Sequence, residues 1–423
     1  MLTNLTFQFQ GTKGATIPGE WSHSGVVGSG DMETMLYRKD QDGLVNVHVC
    51  TPVSGFDAVW ERVLGRFVEE SGCGDLDIEI NDNNSTPFIV RLRLRQALAE
   101  AGEKKDYAAM QQESFFEASA RDRAQNLVDE GTFTELVGPD AKMTSPHLPH
   151  LREAVSFDDG VVTGVGKIGN HPVFIISQEG KFIGGAVGEV HGAKMVGTFE
   201  LALEAYEDLL KKHPEDIDAY RPMVVISFET GGVRLHEANA GLLAHAEVMD
   251  MIQNTKGKVP VISVIGSKVG CFGGMGFVAA ATDAIIMSPK GRLGLTGPEV
   301  IEQELGKDEF DASDKSLISR TTGGKHKYIM RDCNVLVDDS IGAFRKALED
   351  MAALPYEKIC EYRRIGSYEL VNEQKELVAL AAELCPSDAM DMWRYYGNEQ
   401  AEEMPEWDVE TFLSNVKRRP GRA

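Results

Sequence analysis

The 423-residue chain has no excess of positive charge: 43 Lys and Arg stand against 66 Asp and Glu, a formal net charge of -23. Phosphate-backbone binding needs a basic face, so nucleic-acid recognition is excluded as a general role, and any anionic ligand must be met by a local pocket. Cysteine is scarce and dispersed. Cys50, Cys73, Cys271, Cys333, Cys360 and Cys385 form no CxxC and no paired spacing, which excludes a disulfide framework and fits reduced thiols in a cytoplasmic protein. No segment reaches the roughly 18 uninterrupted apolar residues of a membrane helix. The opening MLTNLTFQFQ lacks the basic region and apolar run of a signal peptide, and its alternation reads as a first strand. What is present is a globular composition, 42% hydrophobic and 26% charged, long enough for two or three domains.

Residues 1–102 hold strand-like runs (LTFQFQ, LVNVHVC, LDIEI) and two helical patterns, FDAVWERVLGRFVEES and TPFIVRLRLRQALAEAG. This is enough for a small α+β domain. The charged stretch EKKDYAAMQQES follows and reads as a linker, 103–112, with partial helicity. A helix, FFEASARDRAQNLVDEG, then leads into a Gly-rich region where the apolar runs VFIIS, MVVISF, VPVISVIG and AIIMS alternate with long helical patterns. Strands apolar on both faces and separated by helices predict a parallel sheet covered on both sides. From about residue 342 the pattern is helical, ending in a basic KRRPGR that reads as a frayed, solvated tail.

Three glycine clusters follow apolar runs: Gly231 and Gly232 in FETGGVRLHE, Gly273 and Gly274 in CFGGMGF, Gly294 and Gly297 in GRLGLTGPEV. The first two are expected where a strand ends and a helix begins, with free N–H groups at the positive end of a helix dipole. Two such turns side by side make an oxyanion hole without any side chain; tight turns alone would also account for them. Arg234, His236 and Glu237 stand where they could touch a ligand, and His191 and Lys194 where they could meet a phosphate. Cys271 reads as a packed apolar group, and His147 and His150 lack partners at metal-ligand spacing, so no metal site is expected. In VVGSGDMETML, Ser29 lies between two glycines ahead of Asp31, either a plain turn capped by Asp31 or a hydroxyl held out for modification.

In order and spacing, FETGGVRLHEA, CFGGMGFVAAATDAII and GLTGPEVIEQE resemble the beta-type half of biotin-dependent carboxyltransferases, which have a crotonase-like fold, and above all malonate decarboxylase beta subunits, over roughly residues 113–350. The resemblance implies that the N–H groups of Val233 and Gly274, beside Gly232 and Gly273, take a thioester oxygen. VGSGDMETML and NSTPFIVRLRLRQAL resemble the acyl-carrier (delta) subunit of malonate decarboxylase. In that family the serine of GSGD carries a phosphoribosyl dephospho-coenzyme A arm, and the matching position is Ser29.

The resemblance thus implies a carrier domain (1–102), a linker (103–112), a crotonase-like α/β carboxyltransferase domain (113–350) and a helical extension (351–423), converting malonyl-S-carrier to acetyl-S-carrier and carbon dioxide. It implies a gamma-type partner subunit, an alpha-type acyl-carrier transferase and a prosthetic-group transferase, with neither metal nor membrane, and it leaves biotin outside the expected cofactors. Two alternatives stay open: a subunit of a biotin-dependent decarboxylase or acyl-CoA carboxylase, and a non-catalytic carrier scaffold. Against the first, AKM at 193–195 is a poor match to the biotin-acceptor MKM, and the four-cysteine zinc ribbon of the acetyl-CoA carboxylase beta subunit is absent.

Overall fold

A computed structural model describes residues 2–363 and 367–421. Strands β1 (Thr3–Gln10), β2 (Trp21–Gly25), β3 (Asp31–Arg38), β4 (Leu44–Thr51) and β5 (Leu76–Asn83) form one sheet in the order β1-β4-β5-β3-β2. Helices α1 (Asp57–Ser71) and α2 (Pro87–Glu100) cover it. In α1, Trp60, Leu64, Phe67 and Val68 recur at helical spacing and form the buried stripe; Gly72, at φ 67°, ends the helix by donating its N–H to Val68 O. In α2, the Thr86 hydroxyl caps the Ile89 N–H and Pro87 occupies the first turn. Strand β3 lies between β5 and β2 and is buried on both faces. Met32 and Leu36 join the helix-covered core, while Glu33 looks toward the second unit.

Beyond α3 (Tyr107–Met110) and α4 (Ala120–Asn126), a second sheet runs β12-β11-β10-β9-β8-β7-β6, built from β6 (Thr134–Leu136), β7 (Val161–Ile168), β8 (His171–Gln178), β9 (Met223–Ser227), β10 (Val261–Ile265), β11 (Ala284–Met287) and β12 (Val335–Leu336). The pairs from β8 to β12 are parallel, and β6, β7 and β8 are antiparallel. Both faces are buried. Val261 and Ile265 pack with Phe199, Val248 and Ile252, whereas Ile262 and Val264 pack with Phe115, Phe344 and Leu348. The helices that matter for the site are α5 (Leu148–Leu151), α6 (Glu189–Lys212), α7 (Asn239–Thr255), α8 (Gly274–Ala281) and α9 (Pro298–Leu305).

The C-terminal part adds α10 (Lys315–Thr322), α11 (Gly324–Met330), α12 (Ile341–Ala352), α13 (Tyr356–Glu361), α14 (Ser367–Leu384), α15 (Ala389–Tyr395) and α16 (Val409–Asn415). Two expectations are corrected here. The helix expected over FFEASARDRAQNLVDEG is only the seven residues of α4, because Ser119 caps it late, accepting from Asp122 N–H. The basic tail is not frayed, since Arg418 donates to Tyr328 O and Cys333 O and stacks on the Tyr328 ring, and buried Arg419 donates to Met330 O. Trp393, Met404 and Phe412 bring the extension back onto the main core. Among the described residues no helix is long and apolar enough to cross a membrane, and no cluster of His, Cys, Asp and Glu is suited to a metal ion.

Candidate active site

The second glycine cluster is as expected. Gly273, at φ 63°, is the N-cap of α8, and Gly274 is its first residue. The Gly273 N–H is held by Leu295 O at 2.8 Å, so the third cluster supports the second, while the Gly274 N–H has no partner among the described residues. It therefore carries the positive end of the α8 dipole. The first cluster departs from expectation. After β9 the chain makes isolated bridges, Thr230 to Cys271 and Val233 to Val187, and then passes through a single 3-10 turn, Leu235–Glu237, before α7 begins at Asn239. The Val233 N–H also has no partner among the described residues, for a different reason. In this parallel bridge Val187 donates to Gly232 O and accepts from Arg234 N–H, so the intervening Val233 N–H points to the other side.

The two turns touch. A Cβ on Gly232 would lie 3.0 Å from Gly273 Cα and 3.4 Å from Gly274 N, and one on Gly273 would lie 3.0 Å from Gly232 Cα. With φ at 111° for Gly232, both approach and conformation demand glycine. Beneath Gly274 lies His245, which the sequence reading passed over. A Cβ at 274 would meet the His245 Cδ2 at 2.5 Å. The ring donates from Nδ1 to Gly241 O at 2.7 Å, its Nε2 is buried without a partner, and burial lowers its pKa. Only the Gly241/His245 spacing on α7 hinted at it.

Arg234 and Glu237 do not face a ligand; both are buried in the network that holds the first turn. Arg234 donates to both Asp159 carboxylate oxygens and to Glu237 at 2.9 Å, and to Ala186 O at 3.2 Å. Glu237 also accepts from the Ser145 hydroxyl and the Glu189 N–H, each at 2.6 Å. Burial pushes Asp159 up to about 6 despite Arg234. Burial also opposes ionisation of Glu237, but its hydrogen bonds outweigh that and hold it below the usual range. His191 and Lys194 are likewise withdrawn from any phosphate: both are buried on α6, His191 within reach of Gln178 and Lys194 donating to Asp158 O and Val161 O. His236 is exposed, His147 pairs with Glu189, and Cys271 is fully buried, which raises its thiol pKa.

Ser29 is exposed in the turn joining β2 to β3, two strands the sequence reading did not resolve. Gly30, at φ 73°, donates to Asn83 O, and Asp31 is bound bidentately by Arg93. Gly28 packs on the second unit: a Cβ there would lie 3.6 Å from Lys181 O and 3.7 Å from Lys181 Cβ. The same loop reaches the first glycine turn, where Gly184 O accepts from Gly231 N–H at 2.9 Å. Around this contact the units share an apolar cluster of Leu2, Val27, Leu148, Ala154, Val155 and Phe182. Beside it the buried Glu33 accepts from Phe157 N–H at 2.6 Å, from Asn81 at 2.9 Å and from Ser156 at 3.3 Å, and pairs with His23 at 2.9 Å.

Residues 117–360 match the carboxyl transferase domain family, and residues 20–101 match the family described as malonate decarboxylase delta subunit (MdcD). The chain belongs to the carboxyl transferase family. It is an acyl-carrier domain fused to a beta-type carboxyltransferase domain. The transferase part is similar to malonyl-S-ACP:biotin-protein carboxyltransferase MADC of Malonomonas rubra, 62% identical over 312 residues, 74% of this chain and 98% of that protein. The carrier part is similar to the malonate decarboxylase acyl carrier protein of the same organism, 46% identical over 101 residues, 24% of this chain and 90% of that protein. A solved Pseudomonas malonate decarboxylase hetero-tetramer, in complex with malonate, contains a chain that aligns with TM-score 0.55 and 35% identity, covering 64% of this chain and 94% of that one.

Proposed function

We propose that the chain presents a malonyl thioester on its own carrier domain and removes the carboxyl group at the transferase domain, where the Val233 and Gly274 N–H groups take the thioester oxygen as an enolate forms. The observation that carries this reading is the pair of unpartnered N–H groups on two touching glycine turns, one loop away from Ser29. Loss of the carboxyl group leaves negative charge on that oxygen. Donors already aimed at it stabilise the transition state without reorganising, so no nucleophile is needed. His245 packs beneath Gly274, and the Arg234 network holds the first turn through Ala186 O.

Ser29 fits a covalently attached arm, being exposed, flanked by glycines and rigidly presented between two strands. The proposed arm is phosphoribosyl dephospho-coenzyme A, which when bound supplies the thiol that carries the acyl group. A prosthetic-group transferase would install it, an alpha-type subunit would load it and a gamma-type subunit would close the site, in the cytoplasm. The proposed division is 1–102 carrier, 103–112 linker, 113–350 transferase and 351–423 extension.

Two fates of the carboxyl group share this chemistry. Release as carbon dioxide is supported by likeness to a malonate decarboxylase chain at 35% identity. Transfer to biotin on a separate chain is favoured by the 62% identity with a protein named for that transfer. Intact-mass measurement on protein from a host degrading malonate tests the shared reading: an added coenzyme-A-like mass that vanishes in Ser29→Ala is expected, and an unmodified serine overturns it. Avidin then separates the fates, since turnover that avidin stops requires biotin and turnover indifferent to it does not.

A further inference from the structure

The loop that links Ser29 to the first glycine turn carries one cation with no assigned task. Lys181 follows β8 and is exposed, and among the described residues its ammonium has no hydrogen-bond or ion-pair partner. Its backbone is fixed: the Lys181 N–H donates to Glu179 at 3.1 Å, and the next residue, Phe182, is buried in the cluster shared by the two domains. The Lys181 Cβ lies 3.7 Å from where a Gly28 Cβ would be, which sets its four-carbon stem beside the Ser29 turn.

The acids nearby are committed elsewhere. Asp31 is bound by Arg93, Glu229 by Arg123, and Glu179 accepts from Ala120 N–H and Lys181 N–H. In a chain of net charge -23, an unpaired ammonium on a flexible stem whose base is fixed beside the Ser29 turn is suited to an anion attached to that serine. A phosphodiester at Ser29 would place one negative charge there. A flexible point charge with three donors suits the nonbridging oxygens of such a group.

We propose that Lys181 pairs with the phosphodiester that joins the arm to Ser29, a contact from transferase to carrier that steers the arm along the 181–184 loop toward Val233 and Gly274. Resting on the reading of Ser29 as the attachment site, it names the transferase side chain that grips the arm. It acts by position, since Lys181 is not among the groups that meet the thioester oxygen.

The test compares modified wild-type protein with Ser29→Ala, both labelled by a water-soluble amine acylating reagent and read by peptide mass spectrometry, with exposed Lys212 at the end of α6 as internal reference. Lys181 should be labelled several-fold more slowly in the modified protein, with Lys212 unchanged. Equal labelling of Lys181 in the two proteins overturns the proposal, whereas absence of the added mass in wild type overturns the Ser29 reading instead. In protein shown by mass to be fully modified and assembled with the gamma-type subunit, Lys181→Ala should slow single-turnover loss of the carboxyl group by about tenfold, the scale of one charge-assisted hydrogen bond. It should also flatten the dependence on salt, and Lys181→Arg should restore both. A fully modified Lys181→Ala protein with wild-type rate and salt response overturns the proposal.

Discussion

Gly232 and Gly273 show how the proposed site would consist of backbone alone. Both have a left-handed φ, and a Cβ on either would lie 3.0 Å from the other's Cα, so the contact between the two turns demands glycine on each side. Gly274→Val would drive a side chain into the His245 ring. It is expected to lower carboxyl loss about a hundredfold to a thousandfold, as removal of one oxyanion donor does. Circular dichroism run in parallel checks the fold, and a folded variant with wild-type rate would remove this turn from the site. Asp159 offers a second measurement. Its folded pKa, raised by burial to about 6 from 3.8, means that between those values the native state binds the proton more tightly than the unfolded chain. The stability this gives is present at low pH and is lost as pH rises toward 6. Asp159→Asn, which mimics the protonated form, should therefore be less costly relative to wild type at pH 7 than at pH 5. Denaturant midpoints at the two values check this, and a wild-type advantage that grows with pH contradicts it.

At the scale of elements, the legible parts were those where burial and period agree. The runs that became β8 to β11 are apolar on both faces, and α1 and α2 have clear ends, so sheet and helices could be read directly. β2 and β3 were not legible, because WSHSG is polar and DMETMLYR is buried on both sides for two reasons, a core under Met32 and Leu36 and a polar seam at Glu33. Of the proposed site, the glycine pairs and Ser29 stand out in the sequence, but His245, the Lys181 loop and the reason the Val233 N–H lacks a partner do not, since they depend on long-range pairing. The seam makes its own prediction. Glu33→Ala would strand Phe157 N–H and Asn81 with about 1–3 kcal/mol at stake for each unsatisfied group. Amide exchange at residues 156–160 should accelerate, and proteolysis between 103 and 112 should become easier. Unchanged exchange at Phe157 would show that this carboxylate does not hold the carrier in place.

For the whole molecule, the fusion fixes the carrier against the transferase, and the arm rather than the domain has to move. That supplies the acyl group at high local concentration but does not enclose it. Leu235 is 80% exposed, and Leu242, Leu243 and Phe277 are exposed on α7 and α8, the helices that follow the two glycine turns. Exposed apolar side chains concentrated on the elements around a site mark an interaction surface, and loss of a carboxylate is favoured in a pocket that excludes water. The isolated chain, even with malonyl on its arm, should therefore turn over slowly, and addition of a gamma-type subunit should form a stable complex and restore turnover. Leu243→Asp combined with Phe277→Asp, two changes at exposed positions, should abolish that complex in sedimentation while leaving the unfolding midpoint of the isolated chain nearly unchanged. Full activity of the unmutated chain alone, undiminished by dilution and showing no gain from the partner, would mean that one transferase layer encloses the reaction and that these side chains serve another purpose.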